Sequence, residues 1–471
     1  MAETATPTSP TGGLLDRAIR RITDAWRDMA AGVAPTEDES IPAQMRACLA
    51  ARGGEVSARN RAAKLGEAYL AADAAGRLSF LRDLASFDAD PDAIAQASAR
   101  LAEAPSPAAT AALRRALEPP RLRLLTQFTT IPDGVKFLVD LRAELLARRD
   151  ADATLASPTL ASSTLAGLEA DLRTLLAAWF DIGFLYLRRI DWNAPAALLE
   201  KLVGYEAVHQ IRGWRDLKKR LDSDRRCYAF FHNRMPGEPL IFVEVALVQG
   251  LAGSVQALLD QKAPVLDARE ADTAIFYSIS NCQRGLAGIS FGNFLIKRVV
   301  EELSGEFRNL KTFATLSPVP GFRRWLDGAI AKPAPDLLRE AEAAVLQAAA
   351  AEAADAPSAL ATLLARRNWA RNAATAKLLE PILLRLCAHY LLHEGRGNRA
   401  ADPVAHFHLA NGARIERLCP LADTSDKGVK ESAALMVNYL YDPARIEHYH
   451  EDYAGEGKRN AAQTIRRLLK T

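Results

Sequence analysis

Ser317 stands at the end of the apolar run Thr312–Leu316 and is followed by Pro318, Pro320 and Gly321. Prolines restrict such a loop, so the hydroxyl is held on a rigid element at the carboxyl end of a strand, where open sheets place ligands. A Ser-Pro pair alone is more often an ordinary turn. The hydroxyl acquires chemical meaning only if a histidine reaches it, and the chain offers 8 histidines. His406 and His408 alternate within Val404–Ala410, which reads as a strand, and Asn411-Gly412 before Ala413–Leu418 is a two-residue hairpin signal. On a strand the two rings share a face. They could ligate a metal, but no third ligand stands at a diagnostic spacing, and a packed or hydrogen-bonded role is the expectation for at least one. His232 behind Phe230-Phe231, and His389 with His393 at helical spacing, carry the same structural reading. His448 and His450 lie in a polar segment and read as surface residues.

A second serine sits in Gly288-Ile-Ser290-Phe-Gly292, which matches the G-x-S-x-G nucleophile elbow. A true elbow places its serine in a tight turn directly after a strand. Here the strand-like run ends near Ser280, and about ten residues containing Gly285 and Gly288 intervene, so the segment reads as a loop. The same glycines suit close backbone approach to a phosphate, with the amino end of the following helix aimed at it. The spacing matches neither the P-loop nor the dinucleotide fingerprint, and a loop needing glycine only for its turns is the bland alternative.

These residues must be positioned by elements. Asp272–Leu326 reads as strand (Ala274–Ile279), glycine-rich loop, helix (Ile296, Val299, Val300, Leu303, Phe307) and strand (Thr312–Leu316), a βαβ unit. Arg226–His232 and Leu240–Leu247 read as two strands joined by a Pro/Gly turn. Upstream, from Leu14 to about Leu187, apolar residues recur at helical spacing, including the stripe Leu15, Ile19, Ile22, Trp26 and Met29. Downstream come an Ala-rich helical stretch over Asp336–His393, a helix over Val429–Leu440 and a basic helix over Gly457–Leu469. The organisation expected is a flexible N-terminus (1–12), a helical domain for scaffolding or oligomerisation (13–188), and a catalytic domain (189–471).

At 471 residues and 49% apolar, the chain can fill two or three cores. Lys plus Arg (60) against Asp plus Glu (57) describes no general polyanion-binding surface, so nucleic acid is not an expected partner. Five scattered cysteines without a CxxC pair suggest neither a disulfide framework nor a zinc cluster. No apolar run reaches the roughly 18 residues needed to span a bilayer, and a cytoplasmic protein without membrane attachment is expected.

Longer motifs carry a resemblance. Arg226-Cys-Tyr, Pro236-Gly-Glu-Pro-Leu240, Phe276-Tyr-Ser-Ile-Ser280, Gly285-Leu-Ala-Gly288, Phe294-Leu-Ile-Lys-Arg-Val-Val300, Leu316-Ser-Pro-Val-Pro-Gly-Phe322, Pro403-Val, Phe407-His-Leu and Leu435-Met-Val-Asn-Tyr439 occur in that order. Over about Trp179–Tyr441 the sequence resembles the malonyl-CoA decarboxylase family. The resemblance implies an α+β chain, with an all-helical N-terminal domain followed by a GNAT-type N-acetyltransferase-like domain. In that fold two parallel strands splay apart to admit pantetheine, and the pyrophosphate rests on the loop between strand and helix. It therefore implies that Ala287, Gly288, Ile289, Ser290, Phe291, Gly292 and Asn293 bind CoA, which moves Ser290 from nucleophile to binding loop.

The resemblance also implies that Ser317 and His408 are the catalytic pair, and that Ser278 and Tyr441 contact the malonyl carboxylate or stand behind it. Losing CO2 from malonyl-CoA leaves an electron pair that the thioester carbonyl accepts as an enolate. Such chemistry needs hydrogen-bond donors at that oxygen, a poorly hydrated carboxylate and a proton source. His408 is expected to donate the proton, its reference pKa being near 6.5, with Ser317 polarising the malonyl group. No metal or cofactor is expected, CoA being part of the substrate. The expected assembly is a homo-oligomer, a dimer or tetramer. A CoA-dependent acyltransferase and a non-catalytic acyl-CoA sensor are the alternatives. The chain ends Leu-Leu-Lys-Thr471, without the Ser-Lys-Leu signal that some members of the family carry.

Overall fold

The computed structural model describes residues 23–31, 40–50, 54–152, 160–289 and 295–470. The expected mobile segment 1–12 and the stripe residues Leu15, Ile19 and Ile22 lie outside them. Residues 23–30 are helical and carry Trp26 into the interior.

Through Trp179 the described chain is helical. Starts are set locally: Pro91, Pro107 and Pro120 occupy the first helical position, where a missing N–H costs nothing. The side chains of Asp73, Asp90 and Ser106 accept free amides at the ends they cap. These helices close over Trp26, Phe80, Leu124, Phe128, Phe137 and Leu172. Helices Gly134–Asp152 and Leu160–Trp179 also send Val135, Val139 and Leu176 into the main core beside the sheet.

The remainder is built on an eight-stranded mixed sheet. In chain order the strands are β1 (Leu185–Ile190), β2 (Arg225–His232), β3 (Ile241–Val248), β4 (Thr273–Asn281), β5 (Thr312–Thr315), β6 (Ser317–Pro318), the small separate pair β7 (Gly395–Arg396) and β8 (Arg399–Ala400), β9 (Arg414–Cys419) and β10 (Met436–Leu440). The spatial order is β1-β2-β3-β4-β5-β10-β6, with β9 against β10. Among the strands of the described residues only β4 and β5 pair in parallel, joined through helix Leu295–Glu306. They pair from Thr273 opposite Thr312 to Phe276 opposite Thr315, with a last bond from Leu316 N–H to the Phe276 carbonyl at 3.0 Å. Beyond it they part: β4 continues along β3 to Asn281, while β6 pairs with β10. This is the splayed pair that the resemblance implied. On the other side of β5, the Asn438 side chain ties β10 to the strand end, donating to the Thr315 and Ala252 carbonyls and accepting from Arg417.

Three expected elements differ. Val404–Ala410 is a helix, Pro403–Ala410, and not the first strand of a hairpin. Asp402 caps it, accepting from the Val404 and Ala405 amides, and Pro403 begins it. Asn411-Gly412 is its C-terminal stop, with Gly412 at φ 77°; the dipeptide that closes hairpins also ends helices. The expected helix Val429–Leu440 is a short helix, Asp426–Ser432, then left-handed Ala433 and Ala434, then β10. Pairing with β5, β6 and β9 overrides the local periodicity there. In place of a basic helix over Gly457–Leu469, helix Ile446–Glu456 stops at Gly457, and Gln463–Arg467 forms a separate turn.

Candidate active site

Ser317 follows β5 and the glycine-rich turn follows β4. Because the strands are parallel, both lie at the same end of the sheet, where the strands part. The Ser317 hydroxyl stands 3.0 Å from Nε2 of His408, 91 residues later in the chain. It donates to Oγ1 of Thr315 at 2.9 Å. Nδ1 of His408 lies 2.8 Å from the Tyr441 hydroxyl. Burial raises the Tyr441 pKa well above that of a free phenol, so the group stays protonated and donates to Nδ1. That leaves the neutral imidazole with its hydrogen on Nε2, donated to Ser317. The four groups thus form one polarised chain, Tyr441 to His408 to Ser317 to Thr315.

Three contacts hold the imidazole in place. Tyr439 stacks on it at 4.5 Å between centroids and 25° between planes, and Phe407 lies edge-on at 5.1 Å. The third is the anchoring of its helix, since Asp402 also accepts the Gly321 amide at 3.0 Å and so ties the start of that helix to the loop after Ser317. His408 is only 2% exposed, and burial pushes its pKa down to about 3. At neutral pH the ring is therefore uncharged, and the free-histidine value near 6.5 does not carry over.

The helix also corrects the pairing of the two histidines. Residues two apart on a helix face different ways. His406 accordingly turns from Ser317 and bonds the Tyr453 hydroxyl (2.8 Å) and Arg399 (2.8 Å). The other histidines have separate roles: His232 Nδ1 accepts the Arg234 amide, His389 packs on Trp325 and His393, and His450 Nδ1 meets the Ala410 carbonyl at 2.7 Å. Among the described residues no three His, Cys, Asp or Glu side chains gather to hold a metal ion. All five cysteines are free and buried.

Ser278 lies across the gap. A register shift in β4 pairs Glu244 with Ser278 and Val245 with Phe276, leaving Tyr277 as the extra residue. Phe276 thus packs in the main core and meets the ring of Tyr441 (6.3 Å), whereas Ser278 falls on the side of Glu244. Its hydroxyl donates to the Glu206 carboxylate at 2.8 Å, and Glu206 also accepts from the Val208 and His209 amides. Of the loop residues, Ala287, Gly288 and Ile289 are described; they follow the short turn Arg284–Leu286, with Gly288 at φ 73°. Ser290, Phe291, Gly292 and Asn293 lie outside the described residues.

Sequence reasoning passed over Thr315, Asp402 and Tyr439 as parts of the site. Asp402 was detectable, because Asp before Pro followed by an apolar run signals a helix start. Thr315 and Tyr439 carried no such signal; they matter through strand pairing and a stacked ring.

A parallel strand pair that parts beside a buried serine–histidine pair, behind a helical N-terminal half, defines an α+β protein of acetyltransferase-like architecture. A family model described as the malonyl-CoA decarboxylase C-terminal domain matches residues 183–471, and one described as the N-terminal domain matches 87–180. The chain belongs to the malonyl-CoA decarboxylase family.

It is 35% identical over 413 residues to the mitochondrial malonyl-CoA decarboxylase of Rattus norvegicus, covering 84% of this chain and 82% of that protein. To that of Anser anser anser it is 38% identical over 328 residues, which span 68% of this chain but 64% of the relative's length. The solved malonyl-CoA decarboxylase structure from Rhodopseudomonas palustris superposes with a TM-score of 0.81 at 43% identity, covering 92% of this chain and 100% of that one. That from Agrobacterium vitis superposes with a TM-score of 0.80 at 41% identity, over 91% and 99%.

Proposed function

We propose that this chain converts malonyl-CoA to acetyl-CoA and CO2, with residues 189–471 as the catalytic domain and 13–188 as the helical domain. The reading includes a cytoplasmic location and a homo-oligomeric assembly, a dimer or tetramer. Among the described residues no helix is long and apolar enough to cross a membrane. The observation that carries the reading is the 3.0 Å contact between Ser317 and His408 at the open end of the parallel pair, in a family named for this reaction.

The reaction consumes one proton: the malonyl carboxylate leaves as neutral CO2, and its bonding pair ends in a new C–H bond. Someone must supply that proton. His408 is neutral on its own because burial opposes charge. A malonyl carboxylate drawn in beside it reverses the balance, since a nearby anion favours the imidazolium. Binding the anion thus recruits the proton. Loss of CO2 moves the negative charge to the thioester oxygen, where the Ser317 hydroxyl and the His408 Nε2–H are available donors; one such donor is typically worth about 3 kcal/mol. The imidazolium then protonates the α-carbon and returns to its neutral state. The thioester carbonyl is the electron sink, so the proposal requires no metal and no cofactor beyond the CoA of the substrate. Ala287–Asn293 hold the CoA pyrophosphate in this reading. Tyr441 acts on the His408 ring, and Ser278, whose hydroxyl donates a hydrogen bond to Glu206, serves the far wall of the gap.

Purified protein supplied with malonyl-CoA, without ATP or metal, is expected to release acetyl-CoA, and His408→Asn to lower kcat far more than it raises KM. Absence of acetyl-CoA from the unaltered protein overturns the reading, and an unchanged kcat in the variant removes His408 from the reaction.

A further inference from the structure

We propose that Arg142, on helix Gly134–Asp152 of the N-terminal half, is a positioning residue for CoA: it turns the glycine-rich loop so that the Gly288 amide faces the pyrophosphate. This rests on the CoA reading above and gives the helical half a part in substrate binding.

The Arg142 guanidinium is 2% exposed. Burying a cation is costly unless every donor is satisfied. Here Nε and Nη2 bond the Glu169 carboxylate at 2.9 and 2.7 Å, and Nη1 crosses to the loop, donating to the carbonyls of Gly285 (2.5 Å) and Ala287 (3.0 Å). Arg173, on the neighbouring helix Leu160–Trp179, reaches the Gly288 carbonyl at 3.3 Å. Three oxygens of one short loop are thus taken up by two arginines of the helical half.

That orientation has a consequence for the amides. Across a trans peptide the N–H points opposite to the carbonyl, and no peptide among the described residues is cis. With the Ala287 carbonyl held toward Arg142, the Gly288 N–H points away from the helical half. Within the turn, the amides of Leu286, Ala287 and Ile289 are used by the carbonyls of Gln283, Arg284 and Leu286. Gly288 N–H has no acceptor among the described residues. It is the amide left for an anion, ahead of the helix Leu295–Glu306 whose amino end favours negative charge. The approach that lets Arg142 reach the loop is close: a Cβ on Gly285 would stand 1.8 Å from the Val139 carbonyl oxygen, so only glycine fits.

A staple that merely joined the two halves would lower all activity alike, whereas a loop-positioning residue matters only to substrates with a pyrophosphate. The test compares malonyl-CoA with malonyl-pantetheine, which carries the thioester without pyrophosphate or nucleotide. The double variant Arg142→Met/Glu169→Gln removes the pair without stranding a buried charge. It is expected to raise KM for malonyl-CoA about 10-fold, the loss of one well-aimed hydrogen bond, with kcat nearly unchanged and kcat/KM for malonyl-pantetheine unaltered. Arg142→Lys, which keeps the charge beside Glu169 but cannot hold both carbonyls, covers the case in which the double variant fails to fold. It is expected to show the same selective loss at smaller size. Equal losses on both substrates, or an unchanged KM for malonyl-CoA, overturn the proposal. Failure of the unaltered protein to turn over malonyl-CoA overturns the decarboxylase reading instead, so the two failures are distinct.

Discussion

Tyr441→Phe isolates one oxygen in the hydrogen-bonded chain. The ring is retained, along with its contact to Phe276, so what is lost is the single bond to His408 Nδ1 at 2.8 Å. In the resting enzyme this is a neutral bond, worth about 1 kcal/mol net. When the imidazole charges to deliver its proton, Nδ1 becomes a donor and the phenol oxygen its acceptor; hydrogen bonds to charged groups are worth about 1.5–3 kcal/mol. The difference, roughly 0.5–2 kcal/mol, belongs to the charged state alone and corresponds to about a 2- to 30-fold lower kcat. KM should stay close to that of the unaltered protein. The same difference lowers the pKa of His408 in the substrate complex by about one unit, so the alkaline fall in kcat moves about one unit lower in pH. Acetyl-CoA release measured across pH gives both quantities. A kcat within twofold of the unaltered protein, or a loss expressed wholly in KM, refutes the idea that Tyr441 supports a charged His408.

Two further outcomes follow from the same geometry. The folded pKa of His408, about 3, lies below its unfolded value, so its stabilising contribution is complete above pH ~6.5 and is lost as pH falls toward 3, by up to ~1.4 kcal/mol per unit. Urea unfolding at stepped pH should show a shallower acid loss in His408→Asn than in the unaltered protein, and identical slopes would refute the buried neutral histidine. Gly412→Ala places a side chain at φ 77°, with its Cβ 2.1 Å from the Ile446 carbonyl oxygen. The backbone strain alone costs about 1–3 kcal/mol, so a lowered Tm with reduced kcat is expected; a full-strength, equally stable variant would show that the end of the His408 helix does not locate the ring.

Much of the βαβ unit could be read directly. Ala274–Ile279 and Thr312–Leu316 are apolar runs bounded by turn residues, and Ile296, Val299, Val300 and Leu303 keep strict helical spacing. All three elements form, and apart from the half-buried Ile279 and Thr312 those residues are buried. The hairpin around His408 misled because Asn-Gly serves two purposes, and Asp402-Pro403 was the better guide. Residues Met436–Leu440 misled because a strand buried on both faces has no alternation, so only its partners distinguish it from a helix.

Residue types and their order along the chain settle which groups are available: a serine after a strand and before two prolines, a histidine in Phe-His-Leu, and glycines between a strand and a helix, in an order specific enough to mark the family. How those groups are used depends on packing between distant segments. Ser317 and His408 meet because β10, pairing with β5 and β6 on the side away from β4, brings Tyr439 and the following Tyr441 against the histidine ring. The protonation state of that ring is likewise a property of the fold, since the same imidazole that titrates near 6.5 in water is held neutral by burial. Arg142 had no chemical signature among the many arginines of the helical half. Its position 2.5 Å from a loop carbonyl 143 residues away follows from packing alone, because spatial contact between distant segments is written in no local pattern.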